Sequence, residues 1–325
     1  MIAVLETDAA LQALAPEWDA LWSRTPDATP FQSPRWLLPW WARFGTGMPR
    51  VGVERIGGEL VSVLPMYVLD EDGGRKLLPI GAGTTDYLEG LGSPAPLLGP
   101  VLERARADGI SHCDLFDVPP ASSLLSAEPP PGWDGRWVAG SPCPVLTFPD
   151  IPARIRRKLR MSRHRAERVG GWTVECVGPD TLETALAELI RLHQSRWTGQ
   201  GETGTMASDD VLGFHHTAAP GLLEAGVLRL QILRVAGDVA AAIMALLAAG
   251  RIFFYLSGFD AGHGFVSPGT LLLGAMLEQA IAEGRCEAHF LRGREAYKYA
   301  WGAVDRLNQA MRLTPVTSDG RTSGC

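Results

Sequence analysis

Apolar and polar positions along the chain fall into two successive sets with the same order. In the first, residues 13–23 and 36–44 carry tryptophan and leucine at helical spacings, which predicts two helices. Residues 50–56 alternate, Gly57-Gly58 interrupts them, and 59–68 alternate again, which predicts a hairpin. A polar turn at 70–74 leads to a third strand at 76–80. A loop, a helix over 97–107 and a strand over 111–117 follow. The second set repeats the order. Residues 182–197 form a helix ending at Trp197, and 211–224 read as helix or loop. Strands follow at 227–235, 239–247 and 252–259, with turns at Gly237-Asp238 and Ala249-Gly250. A helix over 269–283 and a strand over 287–291 close the set. Each set is thus two helices, a three-stranded antiparallel meander, a crossover helix and a strand. The crossover brings that strand back parallel to the third one. The expected fold class is α/β of the α+β kind, with mixed sheets present twice.

Between the sets, residues 126–149 hold Pro129, Pro130, Pro131, Pro142, Pro144 and Pro149. Such a run argues against a helix or a central strand, so the expected domains are 1–149 and 150–313. The polar Gly/Ser-rich residues 314–325 read as a flexible tail. A helix at 151–169 carries Arg154, Arg156, Arg157, Lys158, Arg160, Arg163, Arg165 and Arg168 against Glu167 alone. Ile155, Leu159, Ser162, Ala166 and Val169 supply a thin stripe for packing. The remaining surface is either a solvated face balanced by acidic groups elsewhere or an electropositive wall for a phosphorylated ligand. Coenzyme A, a nucleotide-linked precursor and RNA are the candidates.

Composition narrows this. The net charge of −6 excludes a protein that coats nucleic acid or an anionic membrane non-specifically. The longest apolar run, 239–250, is too short to span a bilayer, and the first residues show no secretory pattern. Cys113, Cys143, Cys176, Cys286 and Cys325 are scattered and read as reduced thiols, so the expected location is cytoplasmic. The histidines show no metal-ligand spacing, and no nucleophile elbow is present, so no metal is expected.

The segment 252–284 is the sharpest chemical signal. A strand enters the small-residue loop AGHGFVSPG and then a long apolar helix. Ser267 suits the cap position, Pro268 the first turn, and Gly269 and Thr270 bring amides and little bulk. A helix N-terminus of this kind suits a pyrophosphate, and also an ordinary core helix.

The element order, with PFQSPRWLLPWWARFG (30–45), Asp86-Tyr87, LHQSRW (192–197) and above all YLSGFD, SPGTLL and FLRGREAYKYAWG within 255–302, resembles GNAT acyltransferases. More narrowly it resembles the family labelled cellulose-biosynthesis-protein (CelD)-like, which is related to the Fem aminoacyltransferases. The resemblance implies tandem GNAT-like domains and an acyl donor, acetyl-CoA or another acyl-CoA, bound by the second. The pantetheine would lie where the third strand parts from the strand after the crossover helix. The pyrophosphate would sit at Val266, Ser267, Gly269 and Thr270. Two positions depart from the family: the phosphate loop reads FVSPGTL, and His289 stands where relatives carry Asp.

Acyl transfer to an amine needs a base, an oxyanion donor and an acid. Amides of Leu256, Ser257 and Gly258 are the oxyanion candidates. Tyr297, then Tyr255, is the acid candidate, and Asp86, Glu295 and His193 are the base candidates. Arg292 and Lys298 would hold an anionic substrate group. Alternatively, Tyr297 and Trp301 pack on the sheet and Glu295 pairs with Lys298 or Arg292. The expected function is transfer from acyl-CoA to an amine of a small metabolite, sugar or amino acid, by a monomer or dimer. The alternatives are a Fem-like aminoacyl-tRNA-dependent transferase and a non-catalytic accessory protein of polysaccharide synthesis.

Overall fold

The computed structural model describes residues 1–149, 151–198 and 208–316, and the side chains of residues 196–198 are outside the description. The chain divides into two compact units. The first holds residues 1–141 and 307–325, the second 142–306.

In the first unit, β1 (Ile2–Leu5), α1 (Asp8–Ala13), α2 (Ala15–Arg24) and α3 (Pro34–Phe44) precede the meander β2 (Met48–Ile56), β3 (Glu59–Glu71) and β4 (Gly74–Pro79). The crossover helix α4 (Leu98–Ala107) and β5 (Ile110–Val118) follow, then the two-residue strand β6 (Trp133–Asp134). Ser33 caps α3 through the Arg35 amide, and Pro34 fills its first turn. Gly57 and Gly58 turn the β2–β3 hairpin at φ +59° and +89°, a pair of positive angles that side-chain-bearing residues resist. β5 runs parallel to β4 (Lys76 beside His112), as a crossover requires. Leu64, Met66, Leu77, Val101, Leu102 and Cys113 lie in the core between sheet and α4.

The chain enters the second unit within β7 (Val138–Thr147). There follow α5 (Ala153–Arg168), β8 (Trp172–Cys176), α6 (Leu182–Thr198) and α7 (Asp209–Glu224). The meander is β9 (Leu228–Val235), β10 (Asp238–Ala248) and β11 (Arg251–Phe259), then α8 (Pro268–Ala282), β12 (Glu287–His289) and the short α9 (Ala296–Ala300). β13 (Val304–Pro315) carries the chain back into the first unit. There it lies antiparallel to β5, with Met311 beside Leu115. The order of elements is the repeated one that the pattern predicts, and β12 is parallel to β11.

Several expectations need correction. The proline-rich joint contains a strand: β7 pairs antiparallel with β12, Leu146 beside Ala288. Pro142 and Pro144 fit because their carbonyls only accept, from the amides of Gly293 and Phe290. Thr314 and Pro315 are not frayed but pair with Asp134 and Trp133, while residues 317–325, Cys325 among them, lie outside the described residues. The second hairpin turns at Ala236-Gly237 (φ +52° and +92°), one residue earlier than expected. Of the stripe on α5, Ile155, Leu159, Ser162 and Ala166 are buried, but Val169 is exposed at the helix end. α5 lies so close to α8 that a Cβ at Gly274 would stand 2.3 Å from a Leu159 methyl. Among the described residues no helix is long and apolar enough to cross a membrane.

Candidate active site

β11 and β12 pair over three residues only, Arg251–Phe253 with Glu287–His289. β11 then runs on to Phe259. Just past the pairing it carries a bulge: Leu256 faces Met244 and Phe254 faces Ala245, so Tyr255 is the extra residue. A bulge bends a strand and re-aims its groups. The Asp260 amide donates to Ala240 on β10. By strand alternation Gly258 and Leu256 share that edge, and Ser257 turns to the other. The three oxyanion candidates are thus separated, and of them Ser257 is directed away from β10.

Helix α6 closes over this stretch. A Cβ at Gly258 would stand 2.5 Å from the His193 nitrogen and 2.6 Å from the Leu192 Cβ, so glycine permits the approach. The buried His193 ring reaches the Ser257 carbonyl, 3.0 Å from Nδ1. A carbonyl only accepts, so Nδ1 carries the hydrogen and the neutral ring has its lone pair on Nε2. From α7, His215 is buried against Phe214 (ring centroids 4.8 Å) and Tyr255 (5.4 Å). Burial, then the charges of His216 and His193, push its pKa down to about 3, so it is neutral at physiological pH. The sequence signal for His215 is its place on the buried face of α7 with Phe214, Ala218, Ala219 and Leu222. It shows no metal spacing, so only this burial marks it.

Asp260 ends β11 by accepting from the Gly262 amide (2.8 Å) and from the His263 ring (3.0 Å). The turn over residues 261–266 leads to Ser267, which is left-handed at φ +55°, ψ +61°. The Ser267 side chain makes no capping bond, contrary to expectation, because this backbone turns it away from the first-turn amides. Its backbone carbonyl takes the Leu271 amide, the first intrahelical bond. Gly269 and Thr270 lie ahead of that bond, half-buried, in the turn whose amides point out along the axis. Val266 is buried beneath them as core. Gly269 faces the Phe259 ring, which a Cβ would meet at 3.3 Å. Arg165 of α5 donates to the Phe265 carbonyl at the rim of the loop.

On α5, Arg163 pairs with Glu278 and lies over the Trp172 ring. Arg154 and Arg156 donate to the Ala300 and Ile151 carbonyls. Arg157, Lys158, Arg160 and Arg168 are exposed and, among the described residues, meet no carboxylate. The acidic balance expected of a solvated face is therefore largely missing.

The FLRGRE segment after β12 is held from inside. Lys298, nearly fully buried, donates to the carbonyls of Leu291 (3.3 Å), Arg292 (2.6 Å) and Gly293 (3.3 Å) and pairs with Glu295 at 2.9 Å. Its donors pin a loop in which Leu291 is left-handed at φ +60°. The expectation that Lys298 holds an anionic substrate group is thereby corrected: the ammonium serves the loop. Glu295 is exposed and pairs with Lys298, as the structural alternative has it. Tyr297 is exposed, edge-on to Phe290 at 6.2 Å, and Trp301 is buried. Arg292 is half-buried on the same loop. Asp86 lies in the first unit, half-buried, its carbonyl accepting from Asn308 at 3.1 Å. His289 stacks on Phe253 (4.5 Å) and donates from Nε2 to Glu287 at 3.1 Å. Burial holds His289 below the usual histidine range. The bond from His289, then Arg306, holds the Glu287 carboxyl down at about 2. His289 is therefore satisfied by an acid two residues earlier on the same strand face.

Residues 153–299 match the family described as an acetyltransferase (GNAT) domain. No curated protein matches the chain. Among solved structures, FemX superposes with a TM-score of 0.66 at 13% identity, over 91% of this chain and 95% of that one. The C-terminal domain of a putative lysylphosphatidylglycerol synthetase from Agrobacterium fabrum gives 0.60 at 13% identity, over 93% and 92%. L-PGS from Bacillus licheniformis gives 0.54 at 14%, over 86% and 91%. At such identities these likenesses establish a shared fold. β11 parts from β12 ahead of α8 within the stretch that the GNAT domain model matches, so residues 153–299 have the GNAT fold.

Proposed function

We propose that the second unit transfers an acyl group from acyl-CoA to an amine of a small metabolite, sugar or amino acid. The observation that carries this reading is the early parting of β11 from β12 beside the opening turn of α8. A pantetheine arm would lie along the freed edge of β11, where of Leu256, Ser257 and Gly258 it is Ser257 that turns its backbone groups away from β10. The pyrophosphate fits the amides of Gly269 and Thr270, beside Ser267 and above Val266. Arg165, at the loop rim, adds positive charge. In this reading the acceptor amine attacks the thioester carbonyl and gives its proton to Nε2 of His193. The Ser257 amide meets the developing oxyanion, and the Tyr297 hydroxyl protonates the leaving thiolate. Arg292 would contact an anionic part of the substrate. Glu295 remains a secondary candidate for the base. The narrower CelD-like kinship is part of the same proposal.

Calorimetry tests it. Acetyl-CoA or a longer acyl-CoA should bind the intact chain, and Gly269→Asp, which sets a carboxylate at the phosphate end, should abolish binding. Absence of binding by every acyl-CoA refutes the reading. One observation favours a second reading, with aminoacyl-tRNA as donor. Arg157, Lys158, Arg160 and Arg168 offer a longer cationic surface than one coenzyme's phosphates need. A gel shift with charged tRNA at low salt, lost when these four residues become Gln, would support it, and no shift at low salt would remove it.

A further inference from the structure

The two units share an order of elements but treat the gap between meander and crossover strand differently. In the second unit α8 begins soon after β11 ends. In the first, β4 ends at Pro79 and α4 begins only at Leu98. Positive φ at Gly81 (+105°) and Gly83 (+90°) swings the chain out of the sheet. It then returns. The Leu88 amide donates to Asp117 on β5 at 3.0 Å. Leu91 exchanges both backbone bonds with Val63 on β3, at 2.8 and 3.0 Å. Residues 88–91 thereby take the place that an extended β4 would hold between β3 and β5.

This insertion is a built part of the core. Tyr87, Leu88 and Leu91 are buried. Trp36 donates to the Thr85 hydroxyl (2.9 Å), Gln32 to the Gly90 carbonyl (2.5 Å), and Ser62 to the Leu91 carbonyl (3.0 Å). A Cβ at Gly90 would stand 2.5 Å from the Val63 oxygen, and one at Gly92 2.1 Å from the Val61 oxygen. The β3–β4 pairing is also regular, with no counterpart of the Tyr255 bulge.

We infer that residues 85–92 fill, with the chain's own backbone, the groove of the first unit that corresponds to the donor groove of the second, so that the protein has one donor site. The inference rests on the proposed reading of the second unit for what the groove would hold. Two measurements on the full chain test it. Equilibrium dialysis with acetyl-CoA should saturate at one equivalent per chain, and Gly269→Asp should remove that equivalent. A second equivalent, or one that survives Gly269→Asp, overturns the inference. Hydrogen exchange read by mass spectrometry needs no ligand. Peptides covering 85–92 should exchange roughly 100-fold or more slower than an unstructured peptide, as bonds buried within a sheet require. Exchange at the unstructured rate overturns the inference. If no acetyl-CoA binds at all, the reading of the second unit fails, and the exchange result alone decides this one.

Discussion

Gly258 couples the packing of the second unit to its candidate chemistry, and Gly258→Ala tests that coupling. The new Cβ would stand 2.5 Å from the His193 nitrogen, 2.6 Å from the Leu192 Cβ and 2.7 Å from the Leu192 carbonyl carbon. These atoms belong to, or are fixed by, the α6 backbone, so no rotamer change relieves the contact. Ordinary contact begins near 3.4 Å, so going from 2.5 to 3.4 Å needs a retreat of about 0.9 Å by α6. The His193–Ser257 bond, 3.0 Å in the native chain, would lengthen toward ~3.9 Å and cease to be a hydrogen bond. Overpacking costs ~1–3 kcal/mol and the lost bond ~1 kcal/mol. The expected destabilisation is therefore about 2–4 kcal/mol in equilibrium urea unfolding. Nitrogen-15 shifts of the His193 ring should at the same time show loss of the fixed Nδ1–H form. Gly269→Ala is the control. Its Cβ meets only the Phe259 ring, at 3.3 Å, and a ring edge can yield, so the cost should stay below ~1 kcal/mol. A Gly258→Ala protein within ~0.5 kcal/mol of the parent, with the His193 tautomer intact, would refute the reasoning.

Lys298→Met should cost about 2–4 kcal/mol in thermal unfolding, because three carbonyls lose a charged donor, and Lys298→Arg should not restore it, since a planar fork cannot reproduce that geometry. Ser267→Gly should be nearly neutral, whereas Ser267→Val should cost ~1–3 kcal/mol by placing a β-branched residue at φ +55°. His215 gives a pH prediction. Its folded pKa, about 3, lies below the unfolded 6.5, so the unfolded chain binds the extra proton in between. The stability it contributes is complete above pH 6.5 and is lost as pH falls toward 3. His215→Phe keeps the ring packing on Phe214 and Tyr255 and should flatten the fall of stability between pH 6.5 and 4.5. That range lies above the window of Glu287, whose lowered carboxyl acts in the same direction between 4.5 and about 2. Equal slopes in parent and variant would count against a buried neutral His215.

Local periodicity alone determined much of this protein. The two meanders, the crossover helices and the thin stripe of α5 are written in alternation and in three- and four-residue spacings, and such signals need no partner to be read. The start of α8 at Pro268 was legible for the same reason, since a helix start is a local event. The strands β1, β7, β8 and β13 were not. β7 looks like a proline-rich linker until the amides of Phe290 and Gly293 arrive to use its carbonyls. β13 becomes a strand because β5 supplies a pairing edge about two hundred residues away in sequence, as in Arg312 on Asp114. Side-chain roles divide likewise. The composition of FLRGREAYK offers a lysine for an anion, and only the folded loop, turning its carbonyls inward, claims that ammonium for itself. A spacing rule sees one chain's neighbours along the sequence. Pairing edges, close approaches such as Gly258 on α6, and the self-filled groove at Leu88–Leu91 depend on backbone that returns from far away, and they exist only once the tertiary structure has formed.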